Sequence, residues 1–109
     1  MKIKAVEVKP LTKPCVVDVE DTLEEWQRRV GGNIQAVYPF DDMVAIICDV
    51  EGKLKNYLPC RFLFDENGYP YDLLVGTFYV VGLVDENGND DGNFHSLSED
   101  LIEKYISYF

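Results

Sequence analysis

The stretch Met43-Val44-Ala45-Ile46-Ile47-Cys48 has almost no polar interruption, and it constrains this chain more than any other. Such a run reads as a strand that is covered on both faces, or by a helix on one face and a partner on the other. It lies within Gly31 to Lys53, which also holds a helix stop (Gly31-Gly32), an earlier strand candidate (Asn33 to Phe40), a joint at Phe40-Asp41-Asp42 and a tight turn at Glu51-Gly52-Lys53. Pro39 is tolerable only near an edge or a strand end. The strand Met43 to Val50 is expected to be the central one, with the rest of the chain packed on it.

Ahead of this stretch, Ile3, Ala5 and Val8 alternate imperfectly with Lys2, Lys4 and Glu7, the pattern of a half-buried strand that Lys9-Pro10 ends. Cys15 to Val19 is short and β-branched, and Pro-Leu-Thr-Lys-Pro between the two is the length of a hairpin loop, so the first two strands should pair antiparallel. Thr22-Leu23-Glu24-Glu25 matches a capping box. Leu23, Trp26 and Val30 then share one face of a helix of about two turns, Gly31-Gly32 supply its positive-φ stop, and Trp26 should anchor it to a sheet.

After the central stretch the signal is mixed from Leu54 to Tyr71: a loop at Asn56 to Pro59, a short strand or irregular packed segment at Arg61 to Phe64, and a turn at Asp65-Glu66-Asn67-Gly68. Leu73-Leu74-Val75 and Phe78 to Leu83 resume strand character, with Gly76 and Gly82 marking bulges or close backbone approaches. Asp85 to Asn93 is a polar, Gly-rich loop. Ser96-Leu97-Ser98-Glu99 opens a last helix with either serine as cap, and Leu101, Ile102, Tyr105, Ile106 and Phe109 fall on one broad face that should dock it.

Length bounds the answer to one domain, residues 1–109, large enough for a core without disulfides or metal. Hydrophobic residues make up 47% of the chain, well inside the globular range, so disorder is not expected. The fold class is therefore α+β: a mainly antiparallel sheet of about five strands with two short helices against it.

Charge and cysteine usage narrow the function. Ten Lys plus Arg against 20 Asp plus Glu give a net charge of −10, which repels phosphate backbones, so direct nucleic-acid binding is not expected. The same charge suits solubility, a cationic partner or mimicry of DNA. Cys15, Cys48 and Cys60 are odd in number and lack C-x-x-C spacing, which fits a reducing cytoplasm better than secretion. The N-terminus alternates apolar and charged residues, unlike a signal peptide, and no apolar run is long enough to span a membrane.

Few constellations carry chemistry. Counted from Asp85, the acidic loop has Asp90 at the sixth position of a calcium loop and Ser96 at the twelfth, where a glycine and a closing glutamate are needed, so it reads as a solvated turn and no metal is assigned. His95 is the only histidine and no serine sits in a G-x-S-x-G elbow. No Gly-rich phosphate loop is present, and no cofactor or catalytic residue is assigned. Asp49 with Glu51 is the acidic pair to test first, although pairs arise by composition alone in so acidic a chain. Tyr38, Phe40, Tyr57, Phe62, Phe64, Tyr69, Tyr71, Phe78 and Tyr79 surround Arg61 in sequence, a composition that packs cores and also stacks on planar anions. The ligand-binding candidates are Tyr38, Phe40, Asp49, Glu51, Arg61 and Tyr71.

Several short motifs occur in a telling order: Thr22-Leu23 with Gln27 and Val30-Gly31-Gly32; Val37-Tyr38-Pro39-Phe40-Asp41-Asp42; Glu51-Gly52-Lys53-Leu54 with Leu58-Pro59; Tyr71-Asp72 with Gly76-Thr77-Phe78 through Val81-Gly82; and Ser96-Leu97. In these the chain resembles, over nearly its whole length, a domain-of-unknown-function family of small uncharacterised proteins of phages, prophages and conjugative elements. It departs where the family often has Asn-Glu-Glu-Gly, reading Asp49-Val50-Glu51-Gly52, and where Asn-Arg often follows the prolines, reading Cys60-Arg61. Each departure removes a carboxamide. The resemblance implies a setting and no chemistry: an accessory protein of a mobile element in a bacterial cytoplasm. The expected function is a non-enzymatic binding module for a small ligand or a host protein, and the alternative is an acidic DNA mimic that inhibits a DNA-binding defence or regulatory protein.

Overall fold

Strand β4 (Val44–Asp49) is buried along its whole length, as its composition demands. It belongs to a computed structural model that describes residues Met1–Phe109. The other strands are β1 (Lys2–Val8), β2 (Cys15–Glu20), β3 (Ile34–Val37), β5 (Pro59–Phe64), β6 (Pro70–Val75) and β7 (Phe78–Gly82), and the helices are α1 (Leu23–Val30) and α2 (Glu99–Tyr108). The fold is α+β, with a five-stranded sheet in the order β2-β1-β7-β4-β3 and a separate two-stranded sheet, β5-β6. Every pairing is antiparallel, and β1 and β2 pair in the hairpin register Lys2 with Glu20 through Glu7 with Cys15.

Both faces of the main sheet are covered. Alternation along β4 sends Ala45 and Ile47 to the α1 side, where Trp26 and Val30 meet Ile3, Ala5, Val19, Tyr79 and Val81. Val44, Ile46 and Cys48 point the other way, toward Tyr105 of α2 and toward Leu63 and Leu74 of the β5–β6 hairpin. Trp26 is 1% exposed. Burying a ring of that size contributes roughly 4–6 kcal/mol of hydrophobic stabilisation before ordering entropy is subtracted. Its Nε1 donates to Asp21 Oδ1 at 3.0 Å, so the buried indole N–H is satisfied.

Several expectations are corrected. The geometric centre of the sheet is β7, not β4, although β4 is interior with neighbours on both sides. Strand β3 stops at Val37, ahead of Pro39, and Phe40 leaves the sheet to pack on Tyr105 with ring centroids 4.9 Å apart. Leu23 lies outside the α1 core cluster and stays exposed, because it opens the helix before its first full turn. Thr22 Oγ1 does accept from Glu25 N at 3.2 Å, but the Glu25 carboxylate turns to Arg28 and Arg29 and leaves the reciprocal half of the box unmade. Glu51-Gly52-Lys53 begins a turn of 3-10 helix over Gly52–Lys55, not a tight turn. Arg61 to Phe64 is strand, and the following strand begins at Pro70, ahead of the expected Leu73.

The serines divide two tasks. Ser98 caps α2 by accepting from Leu101 N at 3.3 Å, whereas Ser96 Oγ accepts the Lys4 backbone N–H at 2.8 Å and fastens the preceding loop to β1. Gly82 is a close approach and no bulge: His95 and Gly82 exchange both backbone hydrogen bonds at 2.8 Å, and a Cβ on Gly82 would lie 2.8 Å from Ser96 O. Arg61 ties β5 to two distant segments, donating from Nε to Phe109 O and from Nη2 to Thr12 O, each at 3.0 Å, while Nη1 donates to the carbonyl of its neighbour Cys60 at 2.9 Å.

Candidate functional site

Asp49 is the one charged residue in the buried set, 7% exposed at the end of β4. A carboxylate there must be paired and hydrogen-bonded or it costs several kcal/mol. The 3-10 turn solves this by folding the chain back. Glu51 N donates to Asp49 Oδ1 at 2.8 Å, while Lys55 Nζ and the Tyr57 hydroxyl both donate to Oδ2, at 2.8 and 3.0 Å. Asn56 adopts the left-handed conformation, φ 57°, which turns the chain between the two donors.

The node reaches α1 and the β6–β7 connection as well. Lys55 Nζ donates to Gly31 O at 3.1 Å, one of the carbonyls left free at a helix C-terminus, where a cation also meets the helix dipole favourably. Gly31 and Gly76 hold positive φ, 96° and 72°, against the Tyr57 side chain, where a Cβ on Gly76 would lie 2.6 Å from the ring, and Gly32 packs against Lys55 and Asp49. Gly76 N also donates to Leu58 O at 2.8 Å. Motifs that are scattered in sequence therefore meet around one carboxylate.

Electrostatics fix the protonation of this cluster. Burial pushes the Asp49 carboxyl up, but the bonds from Lys55, Glu51 N and Tyr57 outweigh it and hold the group below its ordinary value. The hydrogen bond that Lys55 donates to Asp49 raises Lys55, and burial together with that carboxylate raises Tyr57. Asp49 is thus ionised and both side-chain donors are protonated across the neutral range. Beside the node, a groove of about 290 Å³ is lined by Gln35, Cys48, Asp49, Glu51, Lys53 and Asp72 among others. Lys53 and Asp72 form an ion pair at 2.7 Å on this groove, and burial raises the Cys48 thiol, keeping it protonated and unreactive.

A second feature is the outer face of the β5–β6 hairpin. Leu63 and Leu74 point to the core, so alternation turns Phe62 and Phe64 outward, 52% and 47% exposed, with ring centroids 6.4 Å apart. Tyr69 and Tyr71, across the hairpin, are 68% and 56% exposed. Between this face and the end of α2 runs a groove of about 620 Å³, lined by Arg61, Phe62, Phe64, Asp65, Glu66 and Tyr108 among others.

The six sequence-derived candidates do not share one cavity. Asp49 and Glu51 meet at the node and its groove, linked by the Glu51 backbone and not by the Glu51 side chain. Arg61 lines the hairpin groove. Phe40 packs among Tyr105, Tyr108 and Phe109. Tyr71 stands on the outer hairpin face, and Tyr38 is exposed just beyond β3. Sequence reasoning missed Lys55 as Asp49's partner. Its signal is the single acid that ends an otherwise apolar strand, which requires a cation nearby in the fold.

Comparison with known proteins gives one match. The family model described as "Domain of unknown function (DUF3846)" covers residues 1–109. No curated protein and no solved structure matches the chain.

Proposed function

This chain belongs to the DUF3846 family, and from that premise we propose that it is a non-enzymatic accessory protein of a phage or other mobile element, acting in a bacterial cytoplasm by binding a partner protein. The observation that carries this reading is the β5–β6 hairpin, which holds Phe62, Phe64, Tyr69 and Tyr71 in solvent, the two phenylalanines sharing a groove with Tyr108. Clustered exposed aromatic rings are costly to leave in water and are what the centres of protein interfaces are made of. Of the two binding modes the sequence suggests, the partner protein is favoured over the small ligand because the aromatic face is wider than the groove: Phe62 and Phe64 line it, while Tyr69 and Tyr71 stand exposed outside it.

Chemistry at the polar node argues in the same direction. Acid and base catalysis works best with groups poised near neutral pH, whereas Asp49 is pushed down and Lys55 and Tyr57 are pushed up. Those shifts suit a structural clamp. The test is native mass spectrometry of the protein purified from a bacterial lysate, alongside a Phe62→Ser/Tyr71→Ser variant. A protein partner retained by the wild type and lost from the variant is expected. A retained metabolite would move the reading to small-ligand binding, and turnover of a nucleotide would move it to an enzyme.

A second reading, mimicry of DNA, draws on the net charge of −10. Its carboxylates must line one face at the spacing of duplex phosphates. Here Asp41-Asp42, Asp65-Glu66 and Asp85-Glu86 with Asp90-Asp91 belong to three different loops, and Asp42 is already paired with Lys104. Mimicry therefore ranks second. It predicts capture of a DNA-binding protein that weakens steeply with salt.

A further inference from the structure

We propose that the aromatic face of the β5–β6 hairpin, with the groove between it and the end of α2, docks a segment of a partner protein that carries arginine or lysine among apolar side chains. The inference rests on the partner-binding reading above and adds the chemistry of the partner.

The rings supply the apolar part. Phe62 and Phe64 stand side by side on β5, and Tyr71 lies on the facing strand, between the cross-strand pairs Phe64–Pro70 and Leu63–Asp72. Tyr108 of α2 closes the groove on its far side. An aromatic face also attracts a cation lying over it.

The rim supplies the sign. Asp65 and Glu66 sit at the hairpin tip and line the groove. One oxygen of Asp65 is occupied by the backbone N–H groups of Asn67 and Tyr69, at 2.9 and 3.0 Å, which fixes the carboxylate in place and leaves the other oxygen without a partner. Glu66 makes no ion pair or hydrogen bond through its side chain. One cation lines the groove and it is engaged, while Lys13, which makes no ion pair, lines a separate depression on the far side of Arg61 and Phe109. Arg61 directs its guanidinium to the carbonyls of Phe109, Cys60 and Thr12. The groove therefore offers carboxylates to an incoming cation and no free cation to an incoming anion.

Charge also excludes other occupants. A second copy would bring another net −10 and another acidic tip against this rim, and nucleic acid or an anionic membrane carries the same sign. A basic segment is attracted at long range by the whole molecule and held at short range by rings that exclude water around its contacts.

The test is selection of peptides from a random display library on the full chain, with counter-selection on Phe62→Ser/Tyr71→Ser, followed by affinity measurements on the wild type, that variant and Glu66→Lys. Near-ultraviolet circular dichroism establishes that each variant folds, and Glu66→Lys, a solvent-exposed change, keeps the test valid if the double variant does not. Enriched peptides should combine Arg or Lys with aromatic or aliphatic residues. Each variant should weaken their binding by about tenfold or more, a difference of about 1.4 kcal/mol, and so should raising the ionic strength. Acidic or uncharged peptides that still need Phe62 would overturn the proposed chemistry while leaving the binding-module reading intact. Peptides that bind wild type and variants equally, or no enrichment at all, would remove the surface itself. A dimer in sedimentation that Phe62→Ser dissolves would assign the face to a second copy and overturn the proposal.

Discussion

The Tyr57 hydroxyl donates to Asp49 Oδ2 at 3.0 Å, and this bond ties the end of β4 to the chain that leads into the second sheet. Because Lys55 shares the same oxygen and Gly31, Gly32 and Gly76 crowd the same space, the pair forms the junction of α1, the main sheet and the hairpin. Asp49→Ala leaves the Lys55 ammonium, the Tyr57 hydroxyl and the Glu51 N–H without their acceptor. Lys55 is about one-third exposed and recovers water, so the expected loss is about 2–4 kcal/mol, below that for a fully buried pair. Tyr57→Phe removes one donor and should cost about 0.5–1.5 kcal/mol. Urea denaturation of both variants checks the order; equal losses would show that the carboxylate is not the hub.

Trp26→Ala should destabilise by roughly 3–5 kcal/mol, since the ring is 1% exposed and meets Tyr79 and Phe94 edge-on at centroid distances of 5.5 and 6.3 Å. Trp26 is the only tryptophan, so its emission should be blue-shifted in the native protein and move red on unfolding. A loss below about 1 kcal/mol in chemical denaturation contradicts the buried position.

Stability should form a plateau between acid and alkaline declines. Arg28 and then Arg29 pull the Glu25 carboxyl from 4.5 to about 2 by hydrogen bonding. Lys104 and Tyr105 lower Asp42, Lys53 lowers Asp72, and the node lowers Asp49, each from 3.8. A group depressed on folding contributes stability above its unfolded value and loses it as pH falls through its folded value. The acid decline therefore begins near pH 4.5 and continues toward about 2. Burial raises Cys48 and Cys60 above 9.0, and burial with an adjacent carboxylate raises Tyr79 and Tyr105 above 10.0. Raised groups act in the opposite sense, so stability should fall again as pH rises above about 9. Denaturation midpoints measured across pH check both limbs; a maximum at the acidic isoelectric point would contradict them.

Gly76 and Gly88 separate backbone strain from crowding. Both hold positive φ, 72° and 82°, but a Cβ on Gly76 would lie 2.6 Å from the Tyr57 ring, whereas one on Gly88 would meet nothing within 4 Å. Gly88→Ala should cost about 1 kcal/mol from conformation alone. Gly76→Ala should cost about 2–4 kcal/mol, because the tyrosine ring must also move and weaken its bond to Asp49. Equal losses would mean that the ring gives way freely.

Local chemistry made much of this fold legible. Thr22 and Gly31-Gly32 bound α1, the apolar run is an interior strand from Val44 onward with Met43 left exposed ahead of it, and the β1–β2 hairpin follows from its loop length. Sheet order was not legible, because a period of two says which side chains share a face and nothing about which strand lies alongside; β7 at the centre is a tertiary outcome. The second sheet was hidden for a related reason: Phe62 and Phe64 look like core residues, and only the inward placement of Leu63 turns them to solvent. At the candidate site Asp49 was visible and Lys55 and Tyr57 were not, since they come within reach only through the 3-10 turn and the left-handed Asn56.

Arg61 provides the last prediction. The hairpin pairs with no strand of the main sheet, so it is held by Leu63 and Leu74 below, by the weak bond from Cys60 Sγ to Val8 O, and at its side by the bonds of Arg61 to Phe109 O and Thr12 O. Charge-assisted bonds contribute about 1.5–3 kcal/mol each when buried and less at a half-exposed site, so Arg61→Ala should loosen the hairpin by about 1.5–3 kcal/mol. Each 1.4 kcal/mol is about tenfold in an opening equilibrium. Amide hydrogen exchange from Pro59 to Val75 should therefore accelerate about tenfold or more, while exchange in β4 and β7 stays near the wild-type rate. Arg61→Lys should restore little, because an ammonium cannot span the Phe109 and Thr12 carbonyls on two separate segments as the planar fork does. Equal acceleration in β4, β7 and the hairpin would show that the two sheets open as one unit and that Arg61 is not a local clamp.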